Sequence, residues 1–119
     1  MTAPNIAGLT TVTGKTDFAL VTTTPVSLVS NPAASNKVLK INSLLISNLN
    51  TSSSEVIDVW ILRNSAVAYI SHETVLAANE TLTVLGKSRQ IYLEEGDALR
   101  VMANGNNGVH AICSYEEIS

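Results

Sequence analysis

Alternation of apolar and polar residues marks the chain as a succession of short β-strands. The clearest case is Val109-His110-Ala111-Ile112-Cys113-Ser114-Tyr115, where Val109, Ala111, Cys113 and Tyr115 share one face. The longest candidate runs from Val38 to Leu49. Leu39, Ile41, Leu45 and Leu49 fall on one side, while Val38, Leu44 and Ile46 add apolar groups to the other, so this strand is expected to be central or covered on both faces. After a polar loop at 50–54, residues 55–62 return with Ile57, Val59 and Ile61 on one face and Val56, Trp60 and Leu62 opposite. Arg63-Asn64-Ser65 reads as a turn before a short strand over 66–71, and the runs 74–76 and 81–85 flank a further turn at 77–80.

Residues 90–101 are expected to act as a pivot. Ile91 and Leu93, then Leu99 and Val101, form two strand segments around an acidic corner. Gly96 supplies positive φ at little steric cost, and Asp97 is placed to fold its carboxylate back onto nearby backbone N–H groups. Upstream, residues 1–16 have no steady period and suggest an extended arm or one weak strand. Residues 18–24 and 25–29 are β-prone, with Pro25 favouring a break or an edge. The loop 30–36 sets a soft boundary between an N-terminal region, 1–36, and the main sandwich, 37–119, within one domain. Eight to ten short strands with turn signals roughly every 8 to 12 residues, and no stripe of helical period, predict an all-β, antiparallel, jelly-roll-like sandwich with no helix longer than a turn.

Composition narrows the function classes. Hydrophobic residues make up 45% of the 119 but aromatics only 4%, so the core must be built from aliphatic side chains. Charged residues are 14%, against roughly 25% in ordinary soluble domains. Polarity comes instead from 12 Thr, 13 Ser and 11 Asn, short groups that lose little entropy when pressed against a neighbour. A net charge of -3 with seven scattered basic residues argues against a nucleic-acid partner. No apolar run approaches the ~18 residues of a membrane-spanning helix, and no membrane partner is expected. One cysteine, Cys113, excludes an intrachain disulfide, and no charged segment followed by an apolar one opens the sequence; the expected setting is a reducing cytoplasm. The acceptor patterns at Asn50 and Asn79 then read as turn residues.

Candidate chemistry is sparse. Cys113 occupies an inward strand position, where a thiol behaves as a small hydrophobe. His110 points to the other face, and His72 is expected in a turn beside Glu73; neither has metal-ligand spacing. Glu94, Glu95 and Asp97 could offer oxygens to a calcium ion, but their spacing fits no EF-hand loop, and Lys87 and Arg89 are near enough in sequence to balance the charge. No catalytic, metal or cofactor residue is assigned, and the chain is read as non-enzymatic. Trp60 is either a buried second-layer residue or an interface anchor.

The run from Lys37 to Asn48, the serine-rich turn at 51–54, Val75-Leu76-Ala77-Ala78-Asn79-Glu80-Thr81-Leu82, the segment 91–101 and the closing Tyr115-Glu116-Glu117-Ile118 occur in an order that resembles small virion structural proteins of tailed bacteriophages, notably aquatic phages. The resemblance covers residues 37–119. It implies a β-sandwich that assembles symmetrically on the virion: a capsid decoration or cement protein bound to the major capsid protein and to its own copies, a trimer among the assemblies expected. A tail, neck or baseplate component is the close alternative, and a trimeric binding module of the C1q or tumour-necrosis-factor type is a further one. Residues 1–30 are expected to reach a neighbouring chain, with Thr10, Thr11, Val12, Phe18, Leu20 and Trp60 as the interface residues and Gly96 and Asp97 as the structural turn.

Overall fold

The computed structural model describes residues 11–105 and 108–119. Nine strands form it: β1 (Val12–Val21), β2 (Val26–Ser30), β3 (Val38–Asn48), β4 (Glu55–Arg63), β5 (Ala66–Leu76), β6 (Thr81–Leu85), β7 (Ile91–Leu93), β8 (Asp97–Ala103) and β9 (Val109–Ile118). No helix occurs among the described residues. One sheet has the order β1-β9-β3-β6, with β7 also pairing β3; the other has the order β2-β8-β4-β5. All pairings are antiparallel. The strand pairs β1/β2, β3/β4, β5/β6 and β8/β9 each divide between the two sheets, which is the winding of a jelly roll. The expected fold class is therefore the one observed.

The two sheets meet in an aliphatic core. Ile41, Leu44 and Ile46 of β3 and Val109, Ala111 and Cys113 of β9 face Ile57 and Val59 of β4 and Leu99 and Val101 of β8, all fully buried. Branched aliphatic side chains interdigitate across such a gap without the volume of aromatic rings. Tyr115 is the aromatic member of this cluster.

Bulges interrupt the alternation of several strands, β3 and β5 among them. In β3 the pairing with β9 shifts between Ile41 and Ser43, so Asn42 is an extra residue. Beyond it the core face carries Leu44, Ile46 and Asn48, while Leu45 turns outward and Leu49 is exposed. The expectation that Leu45 and Leu49 share a face with Leu39 and Ile41 is corrected by that single inserted residue. In β5 two shifts against β4 absorb extra residues, so 66–71 and 74–76 are one bulged strand and not two. His72 sits in this bulge, and Glu73 reaches a φ of 50°.

The N-terminal segment is also more closely integrated than expected. From Val12 onward it pairs with β9 without a register shift, and β2 pairs with β8, placing Val21, Leu28 and Val29 in the core. The arm expected over residues 1–30 is thus sandwich from residue 12; residues 1–10, including Thr10, lie outside the described residues.

Two crossings between the sheets run side by side. The chain leaves β7 in one sheet and enters β8 in the other through Glu94-Glu95-Gly96, where Gly96 has a φ of 88°. It leaves β2 for β3 through 31–37. The Gly96 N–H donates to the Asn31 carbonyl at 2.8 Å, and the Asn31 N–H donates to the Asp97 carbonyl at 2.9 Å. A β-branched residue at Gly96 would have to adopt a left-handed conformation that L side chains resist, at a cost of order 1–3 kcal/mol. Gly96→Val is expected to lower the melting temperature by several degrees, read by circular dichroism; an unchanged midpoint would remove the corner from the residues that determine the fold.

Candidate interaction surface

The acidic corner contains three carboxylates with three different environments. Asp97 is 1% exposed and receives a two-pronged contact from Arg63: Nε to Oδ1 at 2.6 Å and Nη2 to Oδ2 at 2.7 Å. Its Oδ2 also accepts the Glu94 N–H at 2.9 Å, the fold-back expected of this residue. Glu94 is exposed and shares the same guanidinium through Nη2 at 2.9 Å. Glu95 is buried, with Oε2 accepting the Asn36 N–H at 2.9 Å. Arg63, the last residue of β4, is therefore the counter-ion, in place of the expected Lys87 and Arg89.

Burial pushes the Asp97 carboxyl up, but the Arg63 hydrogen bonds, the Glu94 N–H and the guanidinium charge outweigh it and hold the group below the usual carboxylate range. Glu117 is also held low, first by its hydrogen bond from Lys15 and then by Lys37. The corner thus binds its own arginine and joins β4, β7 and β8 at one end of the sandwich. The opposite end has a comparable peg. Asn48 is fully buried, its side-chain amide donating to the carbonyls of Ser53 and Leu76 at 2.9 and 3.1 Å.

The remaining candidates divide cleanly. Cys113 is buried in the core, where desolvation and then the nearby Asp17 charge push its thiol up to about 12. Tyr115 is held well above the usual phenol range by burial and by its hydrogen bond to Asp17 Oδ2 at 2.7 Å. His72 Nδ1 and the Glu73 N–H both lie 2.8 Å from Asp58 Oδ1, which pins the β5 bulge. Among the described residues no three histidine, cysteine or acidic side chains are placed to hold one metal ion.

Trp60 is covered by its own chain and is 7% exposed. Its ring lies 5.9 Å from that of Tyr69 on β5 and the same distance from the Arg100 guanidinium on β8. Of the two readings of Trp60, this chain alone shows the buried second-layer residue and no exposed anchor; Tyr69 is the aromatic that this face presents to solvent.

Phe18 and Leu20 have the opposite fate. Phe18 is 79% exposed, and Leu20 and Val12 are also open to solvent. They lie on the outer face of the five-stranded sheet, and register places Phe18 beside Ile112 of β9, which in turn lies beside Leu45 of β3. Leu20 pairs with His110. Phe18, Ala19, Leu20, His110 and Ile112 line a hollow of about 320 Å³. Hydroxyls frame this apolar row: Thr16 with Ser114 on one side, 3.3 Å apart, and Ser47 with Thr81 on the other, 3.1 Å apart. Phe18 and Leu20 were expected at an interface, whereas Ile112 and Leu45 were not. Ile112 was legible as the residue opposite the inward set of β9, while Leu45 was hidden by the bulge at Asn42.

The depressed Asp97 and Glu117 carboxyls contribute stability that is fully present above their ordinary titration range near pH 4 and is lost as the pH falls through their folded values. Asp97→Asn is expected to melt lower at pH 7, with the gap to the native protein narrowing between pH 5 and pH 2; a gap constant over that range would contradict the ion pair. No protein-family model matches this chain, and no curated protein sequence matches it significantly.

Proposed function

We propose that this chain is a non-enzymatic structural protein of a tailed-phage virion, a capsid decoration or cement protein that docks through the outer face of its five-stranded sheet. The observation that carries this reading is the outward row of exposed Phe18 and Ile112 and half-buried Leu45, framed by Thr16, Ser114, Ser47 and Thr81. It contains no carboxylate or ammonium group, so a protein surface can cover it without desolvating a charge. Covering a Phe or Ile side chain is worth about 1.5–3 kcal/mol. The low overall charge and the abundance of short hydroxyls support the same use. The jelly-roll architecture recurs in viral capsid proteins, which supports the reading by fold-level analogy. The resemblance of residues 37–119 to phage virion proteins adds the setting.

The expected partners are the major capsid protein and neighbouring copies of the chain. Attachment to a tail, neck or baseplate component would use the same face and is separated by experiment. Purified protein is added to shells and, separately, to tails of the phage that encodes it, and bound protein is measured after sedimentation. Saturable binding to shells is expected, and Phe18→Ser with Ile112→Ser should weaken it at least tenfold while leaving the melting temperature nearly unchanged. Binding only to tails would move the protein to the tail, and binding to neither would overturn both assignments.

A further inference from the structure

The free edge of β1 carries a pattern that fits a second copy of itself. Five strands stand at the sheet edges, β6 and the three-residue β7 sharing one edge along β3, and all but β1 are short or interrupted. β5 and β2 contain register shifts, and β6 is five residues long with a shift against β3. β1 runs ten residues without a bulge or proline, and its outer edge is unpaired among the described residues. A long regular edge is the usual template for strand addition.

The direction of its backbone groups is set by β9. Thr11 and Ser119 exchange both backbone bonds, at 3.1 and 3.0 Å. In an antiparallel ladder such pairs recur every second residue, so odd-numbered residues of β1 bond β9. Val12, Gly14, Thr16, Phe18 and Leu20 therefore turn their N–H and C=O groups to the open edge.

We propose that two copies pair β1 to β1 antiparallel about a two-fold axis at Thr16. Residue i then meets residue 32 − i of the other copy: Val12 meets Leu20, Gly14 meets Phe18, and Thr16 meets Thr16. These five outward pairs form about ten backbone hydrogen bonds. On the other face Lys15 lies opposite Asp17, and Asp17 opposite Lys15. Moving the axis to residue 17 or to residue 15 would set Asp17 against Asp17 or Lys15 against Lys15, so charge selects the register. Shape agrees with it. An atom placed where a side chain of Gly14 would begin meets nothing within 4 Å, and the exposed Phe18 ring of the other copy would lie over that space. The result is a continuous ten-stranded sheet in which the apolar rows of both copies share one outer face.

This pairing concerns the chain and its own copy, and it is tested without any virion component, so its failure would leave the docking proposal standing. Sedimentation equilibrium of the purified protein should give twice the 12.6 kDa chain mass. Lys15→Glu and Asp17→Lys place like charges opposite one another in each homodimer, so each variant alone should sediment as a monomer. Mixed, they restore opposite charges at every position and should form a heterodimer of full mass, which also establishes that both fold. In addition, Thr16→Cys should form an intermolecular disulfide under mild oxidation and Val12→Cys should not, because only Thr16 faces its own copy. A monomeric native protein, a trimer, single variants that remain dimeric, a mixture that fails to associate, or equal cross-linking at positions 12 and 16 would each overturn the proposal.

Discussion

The contact on which the rest of the structure depends is the pair between Arg63 and Asp97. A jelly roll must carry its chain repeatedly from one sheet to the other, and each crossing leaves backbone groups that no ladder satisfies. Here the β7–β8 and β2–β3 crossings satisfy each other through Asn31, Gly96 and Asp97. The side-chain amide of Asn31 also donates to the carbonyls of Lys37 and Leu93. Asp97 begins β8 at the end of this knot, buried and negatively charged, and Arg63 brings the end of β4 to it. A planar guanidinium meeting a carboxylate through two nitrogens fixes orientation as well as proximity. The corner that offers three carboxylates to a reader of the sequence is thereby already occupied by the protein's own cation.

Fixing that end of the sandwich leaves the far face of the five-stranded sheet free of structural duty. Inward residues of β1, β9 and β3 form the core, and the outward set carries Phe18, Ile112 and Leu45 among hydroxyls. Charge on this sheet is concentrated toward the other end of the same strands. On the same outer face Lys40 lies 3.9 Å from Glu116, and Glu116 accepts from Asn42. One sheet thus presents a charged half and an uncharged half, and the second is the half suited to contact with another protein.

Much of this was legible in the residue pattern. β9 shows its inward set directly, because Val109 to Tyr115 alternate without interruption, and Gly96 and Asp97 announce a corner by their own chemistry. What was illegible follows from insertions and from distance. Asn42 shifts the phase of β3, so Leu45 counts as a core residue in sequence and turns outward in the fold. The bulge at His72 and Glu73 reads as a turn in sequence, and Glu73 does take the positive φ of one. Arg63 lies 34 residues from Asp97, and no local pattern pairs them. The first half of β1 reads equally as an arm or a weak strand because both its faces are exposed, and strands are recognised in sequence by the face they bury.

The central claim, that the acidic corner makes the fold and is not an open site, is tested most directly by a double-mutant cycle on Arg63 and Asp97. Arg63→Ala, Asp97→Ala and the double variant are unfolded in urea beside the native protein. If the two side chains act as one unit, each single variant is clearly destabilised and the double variant is hardly worse than the Asp97→Ala single. Strictly additive losses would show that the two residues act independently, and that the corner is not held as described.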